Sequence, residues 1–137
     1  MGNTKDTGDT TEALILHELV SRGYSVSIPF GDNDKYDLVV EGDGDLLRVK
    51  CKTGWLEDAR VRFKTVSTTT EDGDPITEGY AGRIDAFAVR CRETDRLYWV
   101  PEPEAGTENT YLRTDEPTID HPSVNHADEY VFDERLP

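Results

Sequence analysis

The sequence predicts an α+β or mixed α/β domain, in which one amphipathic helix packs against a mixed central β-sheet with flanking helical segments. Three observations carry this. Apolar residues repeat at helical spacing near the start of the chain, between Ala13 and Arg22. Runs of strand-type alternation follow, and clusters of Gly, Asp and Asn separate them. The 137 residues suit a single domain with one core.

Met1 to Gly8 is polar and expected to be a flexible N-terminus. Asp9-Thr10-Thr11-Glu12 has the pattern of a capping box, which predicts a helix from Ala13 to Arg22 with Leu16, Leu19 and Val20 on one stripe and Gly23 as its stop. Tyr24 to Pro29 alternates as a first strand, and Phe30 to Lys35 is a turn. Tyr36 to Gly54 then holds two β-type runs around a Gly-Asp-Gly cluster, a hairpin pattern. In its second run Leu47, Val49 and Cys51 alternate with Arg48, Lys50 and Lys52, so one face is apolar and the other carries three cations.

Gly54-Trp55 is expected to break that strand before Ala59 to Val66 alternates again. Ser67 to Gly79 reads as a polar loop of 13 residues, a length that is usually functional or mobile. Ile84 to Arg92 and Leu97 to Val100 form a second hairpin across Glu93 to Arg96. Pro101 to Thr110 is a linker, Tyr111 to Arg113 a short edge strand, and Thr114 to Pro137 an acidic C-terminal extension whose strong apolar patch is Tyr130-Val131-Phe132.

Composition narrows the function classes. No run approaches the roughly 18 apolar residues of a membrane span, and the polar start lacks a signal-peptide segment, so a soluble, cytoplasmic protein is expected. Cys51 and Cys91 sit in apolar runs without zinc-ligand spacing and read as reduced core thiols. A formal charge of −14 opposes a nucleic-acid partner through its global field. Many acids, only five lysines and abundant Thr suggest a high-salt cytoplasm, where the screening length falls to roughly 3 Å and local contacts decide. Locally, Arg48, Lys50, Lys52, Arg60, Arg62 and Lys64 face only Glu57 and Asp58 within their stretch, which makes it the place to seek a phosphate-binding face.

A helix glutamate, an aspartate at a strand start, and a lysine at the end of the next strand form a constellation suited to phosphodiester hydrolysis. Carboxylates hold a divalent metal, and the lysine stabilises the transition-state charge or orients water. Here the chain resembles the PD-(D/E)XK nuclease superfamily, with its restriction-endonuclease-like core, and within it the branch of a group I intron homing endonuclease and small archaeal relatives. The resemblance runs from about Gly8 to Arg113. It is sharpest in Gly31-Asp32-Asn33-Asp34-Lys35-Tyr36-Asp37-Leu38-Val39-Val40 and Arg48-Val49-Lys50-Cys51-Lys52-Thr53-Gly54. It implies catalytic roles for Glu12, Asp37 and Lys52, with Glu12 and Asp37 as ligands of Mg²⁺ or Mn²⁺. It also implies DNA as partner and a homo-oligomer, a dimer or tetramer.

One position departs. Where the superfamily has Glu or Asp, and this branch often Gln, the chain has Lys50, whose protonated ammonium has no lone pair for a metal. Three explanations stand. A hydrated Mg²⁺ needs only one or two carboxylates; another carboxylate such as Asp85 or Asp45 takes over; or the site is weakened and the protein binds without cutting. The functions expected are therefore a metal-dependent DNA endonuclease or its derivative, with a non-catalytic nucleic-acid-binding or interaction domain and a Holliday junction resolvase-like enzyme as alternatives. Arg48, Lys50, Arg60, Arg62, Lys64 and Trp55 are the candidate DNA contacts. From helix pattern alone Glu12 reads equally as a capping residue, and Arg60, Arg62 and Lys64 as a solvated face. His17, His121 and His126 read as surface residues.

Overall fold

A computed structural model of the chain describes residues 4–31, 33–114 and 124–137. Helix α1 spans Thr4–Ser21, well upstream of the expected start at Ala13. The capping-box reading fails because Asp9 and Glu12 both lie inside the helix, beyond its first turn, and Thr10 between them donates its hydroxyl to the Asp6 carbonyl one turn back. Ile15 and Leu19 are wholly buried, whereas Val20 is 56% exposed and off the inward stripe. Gly23 ends the helix with a positive φ of 91°, and its N–H returns to Val20 O.

The strands are β1 (Ser25–Ser27), β2 (Leu38–Gly42), β3 (Asp45–Leu56), β4 (Arg60–Lys64), β5 (Val66–Glu71), β6 (Asp74–Gly79), β7 (Ala86–Cys91), β8 (Leu97–Pro101) and β9 (Asn109–Arg113). A short helix α2, Phe132–Arg135, closes the chain. Strand β3 is the axis. It pairs antiparallel with β2 from Gly42↔Asp45 to Leu38↔Val49, and parallel with β7 from Val49↔Ala86 to Gly54↔Cys91. It meets β4 only at Trp55↔Arg62 and Leu56↔Val61. β1 extends the sheet beyond β2, β8 beyond β7 and β9 beyond β4. Parallel and antiparallel neighbours on one strand make the sheet mixed, as expected.

Two corrections concern turns. Gly54 does not break β3, which runs on to Leu56. A side chain at residue 54 would put its Cβ 2.8 Å from the Arg62 carbonyl oxygen, so glycine here permits close approach of β4. Ser67 to Gly79 is not a structureless loop but most of the β5–β6 hairpin, in register from Val66↔Gly79 to Glu71↔Asp74. Asp72 and Gly73 take positive φ of 52° and 83°, as Asp43 and Gly44 do (51° and 85°) at the β2–β3 turn. Both are two-residue turns whose twist matches the strands.

The sheet carries a core on each face. Against α1 lie Leu38, Val40, Val49, Ala86, Ala88, Trp99 and Phe132, with Leu47 and Cys51 packed beside them. The opposite face gathers Val61, Phe63, Tyr80, Phe87, Val89, Tyr98 and Leu112. Phe87 is met edge-on by Phe63 and Tyr80 at centroid distances of 5.5 and 5.4 Å. Within the acidic C-terminal extension, residues 124–137 take part in this packing, since Tyr130 and Phe132 are buried and Tyr130 O accepts the Trp99 N–H at 2.7 Å. Both cysteines are free thiols. Among the described residues no helix is long and apolar enough to cross a membrane.

Candidate active site

The pairing pattern opens a gap beside β3. On one side, residues 50–54 are paired throughout with β7; on the other, β2 ends opposite Val49 and β4 begins opposite Trp55. Asp37 fills the near end of this gap. Its N–H donates to Val49 O at 2.8 Å, continuing the β2–β3 ladder by one bond, and its Oδ2 accepts the Cys51 N–H at 2.9 Å. That second bond satisfies a strand donor left without a backbone partner and fixes the carboxylate's orientation.

Two charged side chains converge on Asp37. Lys50 places its ammonium 3.4 Å from Oδ1 and 3.3 Å from Oδ2, a long ion pair straddling both oxygens. Glu12 approaches from α1. Burial pushes its carboxyl above the ordinary value, the Asp37 charge adds to the rise, and Lys50 opposes it. The Cys51 thiol between strand and helix is pushed well above its usual range, first by burial and then by Asp37 and Glu12. Two carboxylates close enough to feel one another thus share the field of one resident cation, which is paired with Asp37.

Thr11 sets the height of Glu12. It is 1% exposed, and its hydroxyl shares a 2.5 Å hydrogen bond with that of Thr53 while accepting one from Arg90 at 3.4 Å. Sequence reading passed over Thr11 and Arg90, because nothing local marks a threonine pair 42 residues apart.

Lys52 is placed differently from Lys50. Its ammonium lies 5.0 Å from the Tyr80 ring centroid and 3.5 Å from Val66 O, at the root of the β5–β6 hairpin. The structure therefore brings Glu12, Asp37 and Lys50 together, while Lys52 stands one alternate position further along β3 against Tyr80. Tyr80 is another residue the sequence reading did not single out.

The remaining candidates are partly engaged. Asp85 accepts from Arg48 N at 2.7 Å, and from Nε and Nη2 of Arg48 at 3.3 and 3.4 Å; Arg48 also donates to Gly82 O. Burial works against the Asp85 charge, but these bonds and the Arg48 charge outweigh it and hold the carboxyl below its ordinary value. Asp85 is thus committed to Arg48, and Asp45 sits exposed at the β2–β3 turn opposite Gly42, so neither joins the Asp37 cluster. On β4, Arg62 forms a forked pair with Glu57 at 3.2 Å and lies 5.4 Å from the Trp55 ring centroid. Arg60 lies 4.3 Å from that of Tyr111, and Lys64 is exposed. His126 precedes the one-turn helix Ala127–Glu129, and His121 lies outside the described residues.

Among the described residues no group of three or more His, Cys, Asp or Glu side chains is gathered to hold a metal. The donor set is Glu12 and Asp37, which fits a strongly hydrated cation taking one or two carboxylates and does not fit a closed cage.

Comparison with known proteins agrees with this architecture. The chain is 34% identical over 79 residues to Protein 5.3 of Escherichia phage T7, a match covering 58% of this chain and 59% of that protein. The chain thus matches well under two thirds of the length of this relative. In three dimensions it is similar to a bacterial homing endonuclease, I-Ssp6803I, with a TM-score of 0.75 and 24% identity, over 95% of this chain and 89% of the other. That likeness shows a shared fold. The family model described as PD-(D/E)XK endonuclease matches residues 2–133, nearly the whole length. With a split sheet that sets an aspartate at the gap and a helix glutamate over it, the chain belongs to the PD-(D/E)XK endonuclease family.

Proposed function

We propose that this protein is a metal-dependent DNA endonuclease whose cation site is held in check by its own Lys50. The observation that carries the reading is the meeting of Glu12, Asp37 and Lys50 in the gap of the split sheet. Glu12 and Asp37 are the residues that would hold Mg²⁺ or Mn²⁺. When bound, such an ion polarises the scissile phosphate and lowers the pKa of an attacking water.

The protein's own part follows from its geometry. The Cys51 N–H holds Oδ2 of Asp37, which fixes the carboxylate and leaves Oδ1 beside the Lys50 ammonium. Tyr80 and the Val66 carbonyl hold the Lys52 ammonium on the far side, where it stabilises negative charge gathering on phosphate oxygens. Lys50 has two roles. Without substrate it neutralises Asp37; with a phosphodiester present its ammonium turns to the phosphate and frees the carboxylate. Arg60, Arg62 and Lys64 on β4, with Trp55, supply contacts to the strand, and Arg48 acts by bracing Asp85 and the β3–β7 junction. Action on both strands favours a homo-oligomer.

The 3.3 Å pair between Lys50 and Asp37 also favours a second reading, a nucleic-acid-binding domain that does not cut. Strand scission separates the two. With Mn²⁺ and a labelled DNA panel of duplex, junction and single strand, the endonuclease reading expects cleavage that Asp37→Asn abolishes with circular dichroism unchanged. Binding to the panel without scission by the wild type or by Lys50→Gln would leave the second reading.

A further inference from the structure

A groove of about 620 Å³ runs between the N-terminal half of α1 and the open stretch of β3. Its wall includes Lys50, Lys52, Arg92 and Trp55, with Thr7 and Thr11 from the helix, and among the described residues no aspartate or glutamate lines it. In a chain of net charge −14, a concavity walled by three cations is a local attractor for anions, and the carboxylates beside it, Asp37 and Glu93, hold two of them only at 3.3 and 3.8 Å. Its cations are lightly held. Lys50 is 3.3 Å from Asp37, Lys52 is 3.5 Å from a carbonyl, and Arg92 is 3.8 Å from Glu93.

Trp55 adds an element that a phosphate clamp alone does not need. By the two-residue period of β3 its side chain shares a face with Thr53, the partner of Thr11. The ring is part-exposed, lines the groove, and has the Arg62 guanidinium 5.4 Å from its centroid. Lys50 and Lys52 leave the opposite face of β3 at its unpaired edge, so a strand would pass from one face to the other there; a part-exposed indole beside a guanidinium is a stacking surface for a base whose face is free. In a duplex both faces of each base are covered by neighbours, and a double helix lies across such a groove rather than in it.

We infer that this groove binds a single-stranded segment of nucleic acid, with an unpaired base stacked on Trp55 and the adjoining phosphates on Lys50, Lys52 and Arg92. This rests on the nuclease reading above and narrows its substrate to DNA carrying unpaired nucleotides beside the scissile bond, as at a junction, flap or bubble.

Tryptophan emission tests it directly, because the chain's other indole, Trp99, is 4% exposed in the core. Titration with a short oligothymidylate quenches emission saturably, and an equal-length duplex at the same salt does so at least tenfold more weakly. Trp55→Leu removes the quench and weakens oligothymidylate binding, followed by anisotropy, roughly five- to hundredfold, the worth of one stacked base. Its duplex affinity falls by a smaller factor than its single-strand affinity. Arg92→Gln, on an exposed side chain, lowers the salt dependence of single-strand binding by about one phosphate contact. The inference is overturned by equal quenching from duplex and single strand, by a Trp55→Leu effect common to both, or by an unchanged salt slope in Arg92→Gln. Duplex binding or cleavage by a protein that does not bind oligothymidylate removes this inference and leaves the endonuclease reading standing. Failure to bind any nucleic acid removes both.

Discussion

Replacing Lys50 by Gln should convert a checked cation site into an open one. Lys50 and Asp37 have side chains only 25% and 23% exposed, so their charges are neither fully screened nor dry. An ammonium and a divalent cation about 4 Å apart repel by about 2 kcal/mol at the dielectric of water and about 8 kcal/mol at an effective dielectric of about 20. Even the lower figure corresponds to about thirtyfold in affinity. Glutamine removes the charge and adds a carbonyl oxygen that a cation can use. Lys50→Gln should therefore bind Mn²⁺ at least about thirtyfold more tightly than the wild type, measured from the loss of the free-ion signal in electron paramagnetic resonance. Losing a partly screened ion pair should cost no more than about 1 kcal/mol of stability, so the thermal midpoint serves as the control. A Mn²⁺ affinity within about threefold of wild type, in a folded variant, would refute the reasoning, because the ammonium would then have no say over the Asp37 carboxylate.

Lys52→Ala should abolish scission while Mn²⁺ affinity stays near wild type, since Lys52 is held by Tyr80 and Val66 O rather than by the carboxylates; a parallel fall in Mn²⁺ affinity would contradict that placement. Gly54→Ala forces a Cβ to 2.8 Å from a backbone oxygen and 3.2 Å from Val61 Cγ1, a clash that should cost about 1–3 kcal/mol, read as a lower denaturant midpoint. An unchanged midpoint would mean that the β3–β4 junction is looser than described. Asp85→Asn should show a pH signature. The folded-state value of Asp85 lies below its ordinary 3.8, so its bonds to Arg48 stabilise the fold above that value and are lost as pH falls through the depressed one. The stability gap between wild type and Asp85→Asn should be full at pH 7 and close in acid, and a gap independent of pH would remove Arg48 as its cause.

Much of the fold was legible because period and turn chemistry speak locally. The alternation of Leu47, Val49 and Cys51 with Arg48, Lys50 and Lys52 placed the core face of β3 correctly, and Asp37 was found at the strand mouth where the family pattern puts it. What escaped is non-local. The helix start was misjudged because a Ser/Thr/Asp/Asn acceptor three residues ahead of a Glu can equally sit inside a longer helix, as Asp9 does. Ser67 to Gly79 was read from its polarity, although Asp72-Gly73 flanked by threonines is the same hairpin signal as Asp43-Gly44. Gly54 was treated as a breaker because the strand that crowds it, β4, is known only from pairing.

In the site, residue identity was legible and contact was not. Beside the expected grouping of Glu12, Asp37 and Lys52 stands a contact that was not foreseen, the pairing of Lys50 with Asp37, whose carboxylate reaches back to the Cys51 N–H and so lies beside residue 50. Nothing in the sequence could reveal that Asp85 is consumed by Arg48, or that Tyr80 supplies the ring beside Lys52.

The most direct measurement is single-turnover scission of end-labelled DNA with Mn²⁺ by wild type, Lys50→Gln and Asp37→Asn side by side. The account predicts slow cutting by the first, faster cutting by the second and none by the third. Equal cutting by Asp37→Asn and wild type, or no cutting by any of the three, would contradict it.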